Sequence, residues 1–219
     1  MSSRIIEYLQ SVEISHLFAK NHNHGVERFG KWDLFEPTKF VYAFFAFNMI
    51  YSVDWKSTMK EGRIIYLNNI RAKNLFLETI EFIADFDDKL FERELEKIDP
   101  KREMFAVISN MTFDRNSNKK SEFTGNTIAK DFKNAAKKFS DSSPLNSDDH
   151  FDLLQMSYTV RNNIFHGEKK AKQMIEQGQR NRLIHYANIL LATNEAFFEV
   201  MKQKYQFRRI ENWEVQDNL

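Results

Sequence analysis

The sequence has 219 residues with a formal net charge of +1, and it contains 21 Phe but only 6 Gly, 3 Pro and no Cys. The scarcity of Gly and Pro disfavours a fold of many short strands and tight turns, and the near-zero charge excludes an overall field that would attract nucleic acid or a membrane. The lack of Cys excludes disulfides, thiolate zinc sites and a cysteine nucleophile. We therefore expect an all-α fold.

The N-terminal third of the sequence predicts two helices. Apolar residues recur at near-helical spacing over residues 3–20, without the uninterrupted apolar run of a secretion signal. No later stretch reaches the roughly 18 apolar residues of a membrane-spanning helix, so we expect a cytoplasmic protein that does not bind membranes. Pro37 suits the first position of a second helix, and the stretch FVYAFFAFNMIYS that follows is apolar around so much of its surface that it should lie at the centre of a bundle.

The next stretch predicts long helices. Thr58 and Glu61 match the spacing of a capping box, and no Pro interrupts the chain before Pro100. One very long helix or two in line would both fit this pattern. Asp99 and Pro100 are then placed to begin a further short helix.

From residue 116 to about residue 146 the composition changes. Polar loops flank one short amphipathic helix, TIAKDFKNAAKKF, and residues 117–138 contain six Lys against one Glu and one Asp. We interpret this region as an insertion or a mobile flap. Its lysines form either a solvated face or a platform for RNA, and charge runs of this kind are more often the former.

Two helices are predicted after this region. Asn146 or Ser147 can cap a helix through FDLLQMSYTVRNNIF, and Gly167 is suited to end it in the left-handed conformation. A last helix is predicted over about 181–206.

The spacing of an arginine and a histidine five positions later occurs twice, at Arg161 with His166 and at Arg180 with His185. Five residues of an α-helix turn about 140° beyond a full circle and rise about 7.5 Å, so two such side chains in one continuous helix diverge. Arg180 and His185 lie within an unbroken helical pattern. Gly167 allows His166 to bend around the helix end, so only Arg161 and His166 are predicted to share a site.

The segment RNNIFHGEK resembles the signature of HEPN-superfamily domains, in which a polar residue follows the Arg, and a His stands five positions after it. The resemblance covers about residues 37–206 and implies one HEPN-like helical bundle over 1–219, with 1–36 as a helical extension and about 116–146 as a lysine-rich insertion. Many members of this family are metal-independent endoribonucleases, and several are toxins or components of antiviral defence. The Phe-rich helix resembles the buried helix of the family, which implies that Asn48 faces the site.

The resemblance also implies a chemistry without a metal or another cofactor, with RNA as the substrate. His166 would serve as acid or base, and Arg161 would bind the phosphate, giving a 2′,3′-cyclic phosphate product. Asn162 would orient the histidine or contact the scissile phosphate. Lys169 and Lys170 would hold flanking phosphates, although ordinary solvated charges at a helix end explain them equally well. The family further implies a homodimer whose two copies share one cleft, and for many members a nucleotidyltransferase-like antitoxin.

Two other functions remain open from the sequence. One is a catalytically inactive HEPN-like module that binds RNA or protein, and the other is a helical scaffold whose aromatic surface serves oligomerisation. In either case Arg161 and His166 would be structural residues at a helix end, and Asn48 would be a buried amide bonded to nearby backbone groups.

Overall fold

The computed structural model describes residues 1–23, 28–29, 32–67, 72–113, 126–165 and 176–210. These ranges confirm the all-α fold, since they contain nine helices and a single pair of two-residue strands. The helices are α1 (Ser3–Asn21), α2 (Phe35–Tyr51), α3 (Trp55–Glu61), α4 (Ala72–Ala84), α5 (Leu90–Ile98), α6 (Glu103–Ser109), α7 (Ile128–Ser140), α8 (Ser147–Phe165) and α9 (Gln177–Tyr205). The strands β1 (Arg28–Phe29) and β2 (Trp32–Asp33) pair antiparallel between α1 and α2.

Helix α2 is the central element of the bundle, as its Phe-rich sequence predicts. It packs along both α1 and α9, and it begins two residues before Pro37. Phe44 and Phe47 are buried in the larger of two apolar clusters, together with residues of α4, α7 and α8. Ala46 and Ile50 belong to the second cluster, which joins α2 to α1 and to the second half of α9.

The prediction of one long helix from Thr58, or of two in line, is wrong, because the described residues between 55 and 98 form three separate helices, the first of which begins before Thr58. The residue that caps α3 is Asp54, whose carboxylate accepts a hydrogen bond from the Ser57 amide at 2.9 Å. Thr58 lies inside α3, fully buried, and its hydroxyl accepts a bond from the Ile65 amide at 3.0 Å. Gly62 ends the helix at φ 71°, a left-handed conformation that costs glycine little.

Helix α7, which lies within the predicted insertion, is part of the core. Its residues Phe132, Ala135 and Phe139 are fully buried, and the helix packs against α6 and α8. The Arg102 guanidinium lies 4.4 Å from the centre of the Phe139 ring and donates to the Phe139 carbonyl. The described residues 126–140 are therefore integral to the bundle, and they contribute apolar surface that α8 needs for burial.

Helix α8 begins where its capping signal predicts. Asn146 Oδ1 accepts from the Asp149 amide at 2.9 Å, and Asp149 Oδ2 accepts from the Asn146 amide at 3.0 Å, so each residue satisfies an orphan donor of the other. Lys138 of α7 pairs with the same carboxylate at 2.7 Å and fixes the start of α8 against α7. The structure describes α8 as far as Phe165, and its predicted end at Gly167 lies outside the described residues.

The last helix, α9, begins four residues before the predicted start and runs without a break to Tyr205. Among the described residues, no helix combines the length and apolarity needed to cross a membrane. Residues 206–210 then fold back along α9, and Phe207 is buried against Phe198.

Candidate functional site

Arg161 lies near the end of the described part of α8 and reaches across to α2. Its guanidinium carbon is 5.6 Å from the centre of the Phe44 ring, a distance typical of a cation–π contact. Its Nη1 donates to Asn162 Oδ1 at 2.9 Å. Both side chains are only half-buried, so the structure brings the two predicted residues together at a position that solvent can reach.

Asn48 is on α2, about one turn beyond Phe44, and it is half-buried as well. Its Oδ1 accepts a 2.5 Å hydrogen bond from the hydroxyl of Tyr51. The Tyr51 ring is held between Phe47 and Phe76, with ring centres 5.1 and 4.8 Å away. The side-chain amide of Asn48 is therefore bonded to another side chain, and no hydrogen bond joins this amide to a backbone group in the described part of the chain.

Electrostatics link the α2 residues to those of α8. Burial, with a smaller contribution from the neighbouring Tyr158, raises the pKa of the Tyr51 hydroxyl to about 12, and the Arg161 guanidinium acts in the opposite direction. Tyr51 consequently stays protonated at neutral pH, where it can donate a hydrogen bond but cannot accept a proton as a base. The two groups also share a neighbour, because the Phe44 ring lies 6.4 Å from the Tyr51 ring and 5.6 Å from the Arg161 guanidinium.

We call Asn48, Tyr51, Tyr158, Arg161 and Asn162 the Arg161 cluster. Tyr158 is included because it packs against the same two rings as Tyr51: its ring centre lies 6.4 Å from that of Phe44 and 5.3 Å from that of Phe76. A planar cation flanked by amide groups suits the oxygens of a phosphate. Neither Asn, Arg nor Tyr51 exchanges a proton near neutral pH, so acid–base chemistry at this position requires a further residue.

The histidine predicted for that role lies outside the described residues. So do Lys169 and Lys170, which were predicted to hold flanking phosphates, and Gly167, which was predicted to end α8. The pairing of His166 with Arg161 stays a prediction, as do the roles of the two lysines.

Arg180 and His185, the second arginine–histidine pair, make contacts in different places. Arg180 forms a bidentate ion pair with Glu36 at the start of α2, with Nε to Oε2 at 2.8 Å and Nη2 to Oε1 at 3.1 Å. His185 lines a groove of about 950 Å³ between α6 and α9. Burial lowers the pKa of its imidazole. The two side chains thus have separate surroundings, as expected for five-residue spacing in a continuous helix.

Two further histidines are buried structural residues. Burial lowers the pKa of His150 to about 3, and its Nε2 bonds to the Thr193 hydroxyl at 3.0 Å. That hydroxyl donates to the Ile189 carbonyl, so the imidazole must be the donor in the bond. His16 is fully buried and bonds to Glu195. Neither residue belongs to the Arg161 cluster.

Sequence analysis missed Tyr51 and Tyr158. Each lies three positions from a residue that the sequence did identify, Tyr51 after Asn48 and Tyr158 before Arg161. Residues three apart are neighbours on a helix face. That spacing is therefore the signal that could have pointed to both tyrosines.

The described residues form no group of three or more His, Asp or Glu side chains placed to hold a metal ion. The polar groups of the Arg161 cluster are one guanidinium, two amides and two phenols. Comparison of this chain with models of protein families, with curated proteins and with solved structures produced no match.

Proposed function

We propose that this protein is a metal-independent endoribonuclease of the HEPN type, with Arg161 and His166 as its catalytic pair. The resemblance of RNNIFHGEK to the family signature supports the proposal. The observation that carries it furthest is the Arg161 cluster, in which Asn48 of the Phe-rich helix is connected through Tyr51 and Phe44 to Arg161 and Asn162 of the motif.

The proposed reaction is an internal transesterification of RNA. His166 removes the proton of a 2′-hydroxyl, and the 2′-oxygen attacks the adjacent phosphorus. The Arg161 guanidinium, with the amides of Asn162 and Asn48, stabilises the negative charge that grows on the non-bridging oxygens. The bond to the 5′-oxygen breaks as that oxygen takes up a proton, leaving a 2′,3′-cyclic phosphate and a 5′-hydroxyl end.

The two proton transfers are the reason to propose a homodimer. One copy of the chain has one histidine in the motif, and a second His166 from the other copy would protonate the leaving oxygen in a shared cleft. Lys169 and Lys170 would then bind flanking phosphates and make RNA affinity depend on salt. Sedimentation equilibrium of the purified protein tests the dimer, and a monomer that cleaves RNA would contradict it.

The deciding experiment is cleavage of a mixed RNA substrate in EDTA, with identification of the product ends. Wild type should yield 2′,3′-cyclic phosphate ends, and Arg161→Ala and His166→Ala should each lower the rate by at least about 100-fold. Arg63→Ala and His185→Ala are the matched controls, since Arg63 is an exposed residue paired with Glu61 and His185 lines the separate groove between α6 and α9. Both controls should cleave like wild type.

Each alternative outcome has a defined meaning. Cleavage that survives both motif substitutions contradicts the proposal, as does cleavage that EDTA abolishes. Salt-dependent RNA binding without cleavage would instead identify a catalytically inactive RNA-binding module. A role as a toxin or an antiviral defence effector, with a nucleotidyltransferase-like antitoxin, is the biological setting that we propose. Growth arrest on expression of the wild type but not of His166→Ala would test that setting.

A further inference from the structure

The hydrogen bond from Tyr51 defines the orientation of the Asn48 side-chain amide. Because the Tyr51 hydroxyl donates to Oδ1 at 2.5 Å, the oxygen is the acceptor and the Nδ2 group keeps two N–H donors. Within the described part of the chain, no hydrogen bond engages Nδ2. Asn48 is also half-buried, so solvent reaches it in part.

The residue that sets this orientation is itself held firmly. Tyr51 is 8% exposed, and three Phe rings surround it, with centres at 6.4 Å for Phe44, 5.1 Å for Phe47 and 4.8 Å for Phe76. An unrestrained asparagine amide has a broad terminal torsion and can exchange its nitrogen and oxygen ends. The fixed hydroxyl opposes this exchange because a rotated amide would turn its N–H groups toward the phenol oxygen. The hydroxyl proton, which Oδ1 accepts, would then lose that acceptor in a surrounding of three Phe rings.

The placement of Asn48 relates its amide to the arginine. Arg161 lies over Phe44, one turn before Asn48 on α2, and its charge acts on the Tyr51 hydroxyl that Asn48 accepts from. Residues four apart share a helix face, so Asn48 lies on the face of α2 that carries Phe44 and the arginine. Resting on the function proposed above, we infer that Tyr51 is a positioning residue that holds the Asn48 amide with its nitrogen available to the phosphate bound by Arg161.

A double-mutant cycle on RNA cleavage tests the inference. Tyr51→Phe retains the ring and removes the bond, and it should lower kcat about tenfold, which corresponds to about 1.4 kcal/mol, with KM changed less than about threefold. Asn48→Ala should lower kcat at least as much. In the Asn48→Ala background, Tyr51→Phe should then have almost no further effect, because the amide that it orients is gone.

Tyr186→Phe is the matched control. Tyr186 is another buried tyrosine in an aromatic surrounding, with ring centres 6.4 Å from Phe40 and 5.7 Å from Phe132, and it is outside the Arg161 cluster. Its kcat should stay within about twofold of wild type. An equal loss for Tyr51→Phe with and without Asn48 would overturn the inference, because it would mean that Tyr51 acts through packing. Unchanged kcat in Tyr51→Phe would overturn it as well.

Nuclear magnetic resonance gives a readout that does not depend on cleavage. In protein labelled with ¹⁵N, the Asn48 side-chain amide signals should shift in Tyr51→Phe and stay unchanged in Tyr186→Phe. If wild type cleaves no RNA but these shifts appear, the proposed ribonuclease fails while the positioning of Asn48 by Tyr51 stands. If wild type cleaves and the Asn48 signals are identical in all three proteins, the inference fails and the proposed function is unaffected.

Discussion

Arg209 is at the centre of a buried ion network that holds residues 206–210 against α1 and α9. Its Nε donates to Glu13 Oε1 at 2.8 Å, and its Nη1 donates to Glu195 Oε2 at 2.5 Å. Its guanidinium lies 4.9 Å from the centre of the Phe198 ring. Glu13 is fully buried, and the Ile210 amide at 3.0 Å is its other partner among the described residues. Arg209→Ala should therefore leave a buried carboxylate with one remaining hydrogen bond.

The expected cost of Arg209→Ala is at the lower end of the range for a broken buried ion pair, which is about 3–5 kcal/mol. We choose the lower end, about 3 kcal/mol at neutral pH, because the Arg209 and Glu195 side chains retain 19% and 13% exposure. For a chain of this length, such a loss lowers Tm by about 6–12 °C. Part of the loss should be recovered in Arg209→Ala with Glu13→Gln, since this variant buries no unpaired charge at Glu13.

The loss should also depend on pH. Burial raises the pKa of the Glu195 carboxyl, but the hydrogen bonds and charges of His16 and Arg209 outweigh burial and hold that pKa well below its usual range. A carboxyl whose pKa is lower in the folded state adds stability above its unfolded value, 4.5, and loses this contribution as the pH falls through the folded value. The difference between wild type and Arg209→Ala is therefore greatest near neutral pH and shrinks in acid.

Urea unfolding followed by circular dichroism, at neutral pH and at pH values below 4.5, measures both effects. Arg63→Ala is the control, because Arg63 forms a 2.7 Å ion pair with Glu61 and its side chain is 71% exposed. That exposed pair should contribute less than about 1 kcal/mol. A loss below about 1 kcal/mol for Arg209→Ala, or one no larger than that of the control, would refute the reasoning from burial.

Three other substitutions test packing, capping and titration. Phe47→Ala should lower the free energy of unfolding in urea by about 3–5 kcal/mol because Phe47 is fully buried. Phe45→Ala, at a position 43% exposed, should lower it by less than about 1 kcal/mol, and equal losses would contradict the assigned burial. Asn146→Ala removes the side-chain oxygen that accepts the Asp149 amide bond and should lower stability by about 1 kcal/mol in thermal unfolding, so an unchanged Tm would argue against this cap. Burial, together with nearby carboxylates, raises the pKa of Asp152 to about 7, so its contribution to stability is lost as the pH rises from acid through about 7. Relative to wild type, the free energy of unfolding of Asp152→Asn should therefore rise by about 1–2 kcal/mol across that range, a value discounted for the partial exposure of the carboxyl. Parallel pH profiles of unfolding for the two proteins would contradict this prediction.

Local signals in the sequence predicted much of the helical structure. The apolar breadth of α2 follows from its Phe content, and the start of α8 follows from Asn146, because capping depends on neighbours within one turn. The capping pattern of Thr58 and Glu61 was misleading for the same local reason. Asp54 lies four positions earlier and captures the Ser57 amide, so α3 is already under way when the chain reaches Thr58.

At the candidate site, the sequence identified Arg161, Asn162 and Asn48 through a motif and its resemblance, and the structure adds their contacts. Tyr51 was missed because, apart from its position three residues after Asn48, nothing in the Phe-rich stretch distinguishes it from the other aromatic residues of α2. Its significance comes from a hydrogen bond to Asn48 and from the charge of Arg161, and the second of these arises only when α8 packs near α2.

In the rest of the molecule too, some features follow from the sequence and others from the tertiary structure. Composition, periodicity and capping determined the helical class and most helix positions, since these properties depend on residues within a few positions of one another. The tertiary structure alone decided that α7 joins the core and that Glu13 and Glu195 share Arg209. It did so because such contacts join residues far apart in the chain, and their partners depend on which helix faces bury the most apolar surface together.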